Sequence, residues 1–417
     1  MESLSNDQAQ ALWEVGGFVI ITDLPEGSEF GIDGTYHTTK KFSGIKFVPP
    51  GIHMIAWCPP PSTAPSSGPS AIPIRQAVIK YFKPKERYVL RYDKGTESVI
   101  LPEGEVLMSD DNLKNLDAEL APYPFDEITG WKALTSEIAP SVVSAVVPVG
   151  IIDGLTPVMD QDDETLSKEM KDKLEEMKIR SHMEEGETEG ASLAFTRFNL
   201  KKSWREGAVG EEVTRYSRDK SWLFGNVLEE QLKRDPKLLL GHLQLSFILL
   251  LHLSSFACLQ AYRSIIALFT ASPSLLQTPS KYLSPPKSDP NAHVGAGIKQ
   301  AFQTLVDTLV SQLGALPEQV FESELPEMDV FFLDQIEALR QNLGAALWAT
   351  SPSGLQVGVE EGAQWSEEER QDMNARWNRL RDVAWKRWRW DVDELGHRVE
   401  EEDEDEDGEY APMVVEM

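Results

Sequence analysis

The chain has few cysteines and no long uninterrupted run of apolar residues. Its 417 residues include only Cys58 and Cys258, which are far apart in the sequence. Two separated cysteines cannot build a disulfide framework or a cysteine-based zinc site, so we expect a reducing compartment. In the hydrophobic stretch 238–269 no apolar run is longer than Phe247–Leu251, whereas a bilayer span needs about 20 apolar residues. We therefore expect a buried helix there and no membrane contact.

Targeting signals are also missing from the start of the chain. Its first thirty residues carry Glu2, Asp7, Glu14 and Asp23 and have no lysine or arginine. A secretory signal begins with basic residues, and a mitochondrial presequence needs arginine. We therefore expect neither signal.

The motifs of common catalytic and nucleotide-binding sites do not occur. There is no Gly-x-Gly-x-x-Gly after a strand pattern, no Walker-type Gly-Lys-Ser/Thr, no Gly-x-Ser-x-Gly and no His-Glu-x-x-His. His242 and His252 would lie about 80° apart around one helix, which is more typical of hydrogen-bonded core histidines than of metal ligands. We expect no enzyme activity, no cofactor, no metal and no small-molecule substrate.

One acid/base alternative stays open. Glu29, Asp33, His37 and His53 lie in a turn-rich region and could converge on an acid/base or metal site. Acidic side chains in such turns more commonly accept hydrogen bonds from backbone amides. An enzyme built on Glu29, Asp33 and His53 is therefore the weaker hypothesis.

The charge of the chain is strongly negative. The net charge is −28, and nine of the ten residues from Glu400 to Glu409 are acidic. The remaining body is still acidic, which argues against a protein that mainly coats nucleic acid.

The N-terminal half predicts an antiparallel β-rich, sandwich-like domain at residues 1–157. Short apolar strands alternate with Gly- and Pro-containing turns, and two helices are expected to cover one sheet. Strands and helices do not alternate, which excludes a doubly wound nucleotide-binding sheet. The predicted strands lie near 18–21, 29–33, 41–48, 52–57, 77–82, 88–92 and 97–100, and the helices at 109–120 and 126–138.

The C-terminal half predicts an all-α domain, so the fold class is α+β. An acidic flexible linker is expected at 158–191, a helical bundle or superhelical stack at 192–393, and an acidic tail at 394–417. The predicted helices lie at 211–232, 238–254, 257–269, 296–313 and 319–348, the last one broken at Pro326.

A Trp/Arg helix at 370–390 precedes the tail. Trp377, Leu380, Ala384 and Trp388 form one stripe, and arginines and lysines occupy the other sides. One interpretation is an RNA-binding helix in which the aromatic rings stack and the arginines bind phosphate. The favoured interpretation is that the stripe packs inward while the basic flank meets solvent or acidic groups, including the 400–409 run.

The last residues predict a strand that pairs with another protein. Proline and two valines follow a run of acids, which is unusual for a disordered terminus. Strand addition to a partner sheet would use backbone hydrogen bonds for affinity and alternate side chains for specificity. The candidate partner-binding residues are Tyr410, Ala411, Pro412, Met413, Val414, Val415 and Glu416, together with Trp388 and Trp390.

Motifs along the whole chain resemble those of a known family, the AAR-two (A-A-R-two) splicing factors, which assemble the U-five small nuclear ribonucleoprotein. The matching motifs are Glu29-Phe30-Gly31-Ile32-Asp33, Phe42-x-Gly44-Ile45-Lys46, Pro49-Pro50-Gly51-Ile52-His53, Pro122-Tyr123-Pro124 with Trp131, Glu212-Val213-Thr214 with Ser217 and Asp219, Gly241-x-Leu243-Gln244 with Phe247, Arg389-Trp390-Asp391, and Tyr-Ala-Pro-x-Val-Val-Glu at 410–416.

The resemblance implies a specific role. It implies a VHS-like helical domain and a non-catalytic factor that binds the central scaffold protein, Prp-eight, in the cytoplasm before nuclear import. The tail is expected to add a strand between the scaffold's RNase H-like and Jab/MPN domains and to block premature helicase binding. Direct RNA binding is not expected. The resemblance also implies release by phosphorylation, for which the Ser-Pro pairs at Ser272, Ser284 and Ser351 are candidates.

Overall fold

The structure is a computed structural model of the chain. It describes residues 12–38, 43–60, 74–96, 98–101, 110–148, 150–158, 192–285, 294–323, 325, 327–348 and 358–396. The predicted linker, apart from Val158, and the predicted tail, apart from residues 394–396, lie outside the described residues.

Within its described residues, the N-terminal half contains ten strands in two five-stranded sheets. The first sheet has the order β8-β7-β1-β4-β9 and the second the order β10-β6-β5-β2-β3. The strands are β1 Gly17–Thr22, β2 Glu29–Ile32, β3 Thr35–Thr38, β4 Gly44–Val48, β5 Gly51–Cys58, β6 Gln76–Phe82, β7 Arg87–Asp93, β8 Ser98–Ile100, β9 Leu120–Pro122 and β10 Ile152–Asp153.

The two sheets share one apolar core, which makes the domain a sandwich. Val19 and Ile21 from β1 pack in the same cluster as Ile55 and Trp57 from β5, and all four side chains are nearly or fully buried. The opposite face of β1 is covered as well, because Ile20 packs with Leu113. Burial on both faces explains why β1 is continuously apolar.

The pairing of the first sheet is mixed, whereas we expected antiparallel strands throughout. β1 pairs with β7 in parallel, and β4 pairs with β9 in parallel. The chain leaves β6 in one sheet and enters β7 in the other, so β7 arrives beside β1 in the same direction. The alternation of apolar and polar side chains along a strand shows which face is buried. It does not show whether the neighbouring strand runs parallel or antiparallel.

Helices cover the sandwich and form the C-terminal half, which confirms the α+β class. The helices are α1 Asp110–Leu116, α2 Ile128–Leu134, α3 Pro140–Val146, α4 Glu211–Arg218, α5 Ser221–Gln231, α6 Pro236–Leu253, α7 Phe256–Thr270, α8 Pro273–Gln277, α9 Val294–Ala315, α10 Val320–Ser323, α11 Met328–Trp348 and α12 Glu367–Val383.

The helices differ from the sequence expectation at several places. The segment predicted as one helix at 211–232 is two, α4 and α5, because the backbone is extended at Asp219. The Asp219 carboxylate accepts hydrogen bonds from the backbone amide and hydroxyl of Ser221, the first residue of α5. The helix predicted at 126–138 ends earlier, at Leu134. The last residue of the helix predicted at 109–120 instead begins β9. The predicted break near Pro326 is confirmed, since α10 ends at Ser323 and α11 begins at Met328.

The apolar helix α6 is the centre of the helical half. Asp235 caps its start by accepting a hydrogen bond from the Lys237 amide, and Ser254 ends it in the left-handed conformation at φ 53°. Within the described residues, α6 is the one helix that is long and apolar enough to cross a membrane. However, 72% of this segment is buried inside the protein. Its burial confirms the predicted core helix.

The two halves are joined by a close contact between α6 and the turn after α2. A Cβ atom on Gly241 would lie 2.5 Å from the carbonyl oxygen of Glu137, so only glycine fits there. One turn further, the Gln244 amide oxygen accepts a hydrogen bond from the Glu137 amide at 2.7 Å, and its nitrogen donates to Ser136 and Thr308. An apolar cluster built from both halves surrounds this contact and includes Ile52, Met54, Val142, Leu245 and Ile248.

Candidate partner-binding face

Helix α12 packs its tryptophan stripe into the helical core. Trp377, Leu380 and Ala384 are at most 1% exposed, and the Trp377 indole donates to the carbonyl of Asp393 at 2.8 Å. The predicted inward packing is therefore confirmed for these three residues, whereas Trp388, the fourth residue of the stripe, is half-buried. This packing fixes both the helix and the residues that follow it.

The start of α12 is clamped to α9. Ser366 and Glu369 form a capping box, and the Lys299 ammonium donates to both carboxylate oxygens of Glu369 at 2.6 and 2.8 Å. Partial burial acts to raise the pKa of Glu369, but the hydrogen bonds from Lys299 and Ser366 outweigh it and lower the pKa. The clamp therefore keeps this carboxylate ionised at neutral pH.

Three arginines of the basic flank of α12 are paired within the protein. Arg376 binds both Asp307 and Asp372, and the Arg379 guanidinium is 3.0 Å from Asp307. Arg381 donates to the Val392 carbonyl at 2.7 Å. Each of these three arginines already has an acceptor, which makes them poorly suited to phosphate binding.

Beyond α12 the chain makes one π-helical turn, residues 384–388, and reaches an aromatic cluster. We define the aromatic cluster as Phe321, Phe332, Trp388 and Trp390. The ring centroids of Phe321 and Trp388 are 4.6 Å apart, and the Trp388 indole donates to the Leu313 carbonyl at 3.2 Å. Both tryptophans are half-buried, so each leaves one part of its ring accessible. Their predicted role in partner binding stays a prediction.

The described chain ends along α11. Val392 and Leu395 are buried, and a Cβ on Gly396 would lie 3.4 Å from the Trp348 indole nitrogen. The tail is therefore attached at the C-terminal end of α11. The predicted strand residues, Tyr410 to Glu416, lie outside the described residues.

Models of two parts of one known family match the chain, one on each side of the predicted linker. The part described as AAR2 N-terminal domain matches residues 15–148, and the one described as AAR2 C-terminal repeat region matches residues 195–393. The chain belongs to the AAR2 family. The expected family membership is thus confirmed over the sandwich and the helical half.

AAR2 proteins of animals are similar to this chain. Protein AAR2 homolog of Mus musculus is 26% identical over 344 residues, which cover 77% of this chain and 82% of the mouse protein. The Homo sapiens homolog is 29% identical over 263 residues, covering 58% of this chain and 65% of the human protein. The Caenorhabditis elegans homolog is 31% identical over 142 residues, or 33% of this chain and 37% of that protein.

The AAR2 motif residues Asp33 and His53 form a buried hydrogen-bonded group in the sandwich. The Asp33 carboxylate is 2.5 Å from Nδ1 of His53 and accepts hydrogen bonds from the Tyr123 hydroxyl at 2.6 Å and the Met54 amide at 3.0 Å. Nε2 of His53 is 2.8 Å from the Pro49 carbonyl. All the polar atoms of this group face partners within the sandwich, as expected for acids in turns.

The other members of the acid/base hypothesis lie apart from this group. Glu29 pairs with Arg75 at 2.6 Å, and His37 is exposed on the edge strand β3. His53 does line a cleft of about 520 Å³ between the β4–β5 turn and α2, but its two ring nitrogens are already engaged. In the ranges that the structure describes, no group of three His, Cys, Asp or Glu residues is arranged to hold a metal ion.

The helix histidines differ from each other. Nδ1 of His242 lies 3.2 Å from the Thr196 amide and 3.0 Å from its hydroxyl, as expected for a hydrogen-bonded core histidine. Burial lowers its pKa to about 4. Nε2 of His252 is buried without a hydrogen-bond partner among the described residues, which corrects the expectation for this side chain.

The three Ser-Pro candidates have different environments. Ser272 is fully buried and its hydroxyl donates to the Leu268 carbonyl at 2.6 Å, so a kinase could not reach it in the folded protein. Ser284 is exposed, and its amide donates to Glu229 at 2.8 Å. Ser351 lies outside the described residues.

Sequence reasoning missed the residues that join the two halves and the acidic partners of α12. Gly241 and Gln244 appeared only as parts of a motif. A buried Gln on an otherwise apolar helix was the available signal, because a buried amide must find hydrogen-bond partners. Asp307 carried no local signal, since it is 69 residues from Arg376.

Proposed function

We propose that the protein is a non-catalytic assembly factor in pre-mRNA splicing. Membership of the AAR2 family supports a splicing-related role. The finer proposal is that it binds the central scaffold protein of the U-five particle and that its tail adds a strand between the RNase H-like and Jab/MPN domains. Occupancy of those surfaces would hold off the helicase until the factor leaves. We also propose that the protein binds this scaffold in the cytoplasm, before nuclear import.

The internal pairing of arginines on α12 is the observation that favours protein binding over RNA binding. Arg376, Arg379 and Arg381 are held by Asp307, Asp372 and the Val392 carbonyl. Using them for phosphate would require breaking these contacts and leaving Asp307, which is half-buried, without its cations. A partner that covers apolar and acidic surface does not carry that cost.

The absence of catalysis is supported by the buried group at Asp33. Asp33, His53 and Tyr123 bond to one another and to backbone groups, and the side chains of Asp33 and His53 are 1% and 4% exposed. A general base needs a free lone pair directed at substrate. This group supports the β2–β3 and β4–β5 turns instead.

A pull-down tests the proposed role of the tail. The scaffold's RNase H-like and Jab/MPN fragments are incubated with the full chain, with a chain ending at Gly408, and with the full chain carrying Val414→Pro and Val415→Pro. Proline removes the backbone donors that a strand needs. We expect strong recovery with the full chain and loss with both altered chains.

A matched control keeps the tail but changes its charge. A chain in which the acids of the 400–409 run are replaced by Gln and Asn retains Tyr410–Glu416, so strand addition predicts recovery close to that of the full chain. Equal recovery by the full chain and the proline variant would overturn the strand mechanism.

A further inference from the structure

The first turns of α11 carry an exposed apolar patch. Val330 is 56% exposed and Leu333 is 37% exposed, and their spacing of three residues places them side by side on the helix. Phe331 lies next to them, half-buried, with the Arg263 guanidinium 4.8 Å from its ring centre. We call Val330, Phe331 and Leu333 the α11 patch. The helix beneath it is fixed, because Phe332 is 1% exposed in the core.

Buried Phe332 connects the α11 patch to the aromatic cluster through the core. The rings of Phe331 and Phe332 are 6.0 Å apart, and those of Phe332 and Trp390 are 6.2 Å apart. Phe332 itself is 1% exposed, so the patch rests on packed core residues. A partner can therefore cover the α11 patch without displacing any described element.

Acidic residues border the α11 patch. In the sequence Asp329 precedes the patch and Asp334 follows it, and Glu327 precedes Val330 by one turn. No hydrogen bond or ion pair joins the Asp329 or Asp334 carboxylate to another residue within the described ranges. The sequence has no lysine or arginine between Lys299 and Arg340. Arg263 reaches the patch from α7, and Glu327 opposes its charge.

The acidic border argues against two possible binding partners of the α11 patch. The chain's own tail carries nine acids between Glu400 and Glu409, so the acidic border repels it. A second copy of the chain would bring its own acidic border and a net charge of −28 to the contact. Neither occupant complements Asp329 and Asp334.

We propose that the α11 patch binds a basic segment of a partner protein that also carries apolar side chains. Leucine-like side chains would cover Val330 and Leu333. The aliphatic stems of lysine or arginine would lie beside them while the charged ends reach Asp329 and Asp334. The α11 patch includes no residue of the tail, so this proposal does not depend on strand addition.

Fluorescence anisotropy with a defined probe tests the proposal. The probe is a labelled peptide, Lys-Leu-Leu-Lys-Lys-Leu-Leu-Lys-Lys-Leu-Leu-Lys, and the protein is the full chain. Two comparison peptides replace every Leu by Ser or every Lys by Glu. We expect the first peptide to bind and both comparison peptides to bind at least about tenfold more weakly, since apolar burial and charge both contribute.

Variants locate the binding surface. Val330→Ser combined with Leu333→Ser should weaken the probe about tenfold or more, because exposed side chains can be changed without loss of core packing. Asp329→Asn combined with Asp334→Asn should weaken binding and flatten its dependence on salt. The matched control is Val209→Ser, an apolar residue that is 78% exposed ahead of α4, which should bind as the unchanged chain does.

Three outcomes would overturn the proposal. Unchanged binding by the Val330/Leu333 double variant would show that basic peptides associate with the acidic body at large. Equal binding of the Ser-containing peptide would show that the apolar patch takes no part. A homodimer in sedimentation that the same double variant disrupts would make a second copy of the chain the occupant.

Discussion

The side-chain amide of Gln244 holds the backbone of Glu137 across the boundary between the sandwich and the helical half, at 2.7 Å. Gln244 is fully buried and also donates to Ser136 and Thr308. The same side chain therefore satisfies one backbone donor and one hydroxyl group of the turn after α2, and a second hydroxyl group on α9. This contact makes the relative position of the two halves dependent on one residue of α6.

Removal of the Gln244 amide should destabilise the protein. Gln244→Ala leaves the Glu137 amide unpaired and opens a small cavity, so we expect the free energy of unfolding to fall by about 2–4 kcal/mol. Gln371→Ala is the matched control, because that side chain is exposed and bonds only to Glu367 in the same helix. Urea denaturation measures both, and equal midpoints would contradict the role given to Gln244.

A methyl group added at Gly241 should lower the stability of the fold, whereas one added at Gly344 should raise it. The added Cβ at Gly241 would lie 2.5 Å from the Glu137 carbonyl, so Gly241→Ala must push the halves apart and lower the melting temperature. Gly344, inside α11, has no atom within 4 Å of its added Cβ. Gly344→Ala should therefore stabilise the protein by about 0.5–1 kcal/mol through helix propensity. Calorimetry of both variants distinguishes a packing effect from a general effect of alanine.

Acidification should weaken the fold through His242. Burial lowers its pKa to about 4, whereas an unfolded chain has a histidine pKa of about 6.5. The unfolded state therefore binds a proton first, and stability is lost as pH falls from about 6.5 towards 4. Between pH 7 and pH 5 this residue should cost about 2 kcal/mol of unfolding free energy.

A comparison of variants separates the effect of His242 on stability from the effects of the many carboxylates. His242→Asn offers an oxygen to the Thr196 amide but does not titrate, so its stability should fall less between pH 7 and pH 5. His37→Asn is the control for the substitution itself, because His37 is exposed on β3. Parallel profiles for His242→Asn and the unchanged chain would contradict the assignment.

Two neighbouring tryptophans should differ in their contribution to stability. Trp388→Ala removes the contact with Phe321 and the hydrogen bond to the Leu313 carbonyl, so we expect a loss of about 2–3 kcal/mol. Trp385 is 52% exposed and its ring lies under Arg389, so Trp385→Ala should cost less than about 1 kcal/mol. Thermal unfolding of the two variants makes the comparison.

The isolated protein should not bind RNA tightly. Arg376 and Arg379 are paired with Asp307, so electrophoretic shifts with spliceosomal RNA at physiological salt should show no stable complex. Asp307→Asn weakens the pairing and should increase RNA binding. A tight complex with the unchanged chain would restore the RNA-binding interpretation of α12.

The sequence was informative where a residue's environment depends on near neighbours. The burial of Trp377 and Leu380 followed from helical spacing, and the apolar composition of α6 predicted its position in the core. The partners of Arg376 and Gln244 were beyond such reasoning, because Asp307 and Glu137 come from distant segments that meet only in the folded chain. The parallel pairing of β1 with β7 was missed for the same reason.

Helix α11 separates the aromatic cluster from the last described residue before the tail. Trp390 packs beside Phe332 near one end of the helix, and Gly396 lies against Trp348 at the other. The axial rise between Phe332 and Trp348 is about 24 Å. The aromatic cluster and the last described residue before the tail therefore lie at opposite ends of α11, and a partner that contacts both has to extend along the length of this helix.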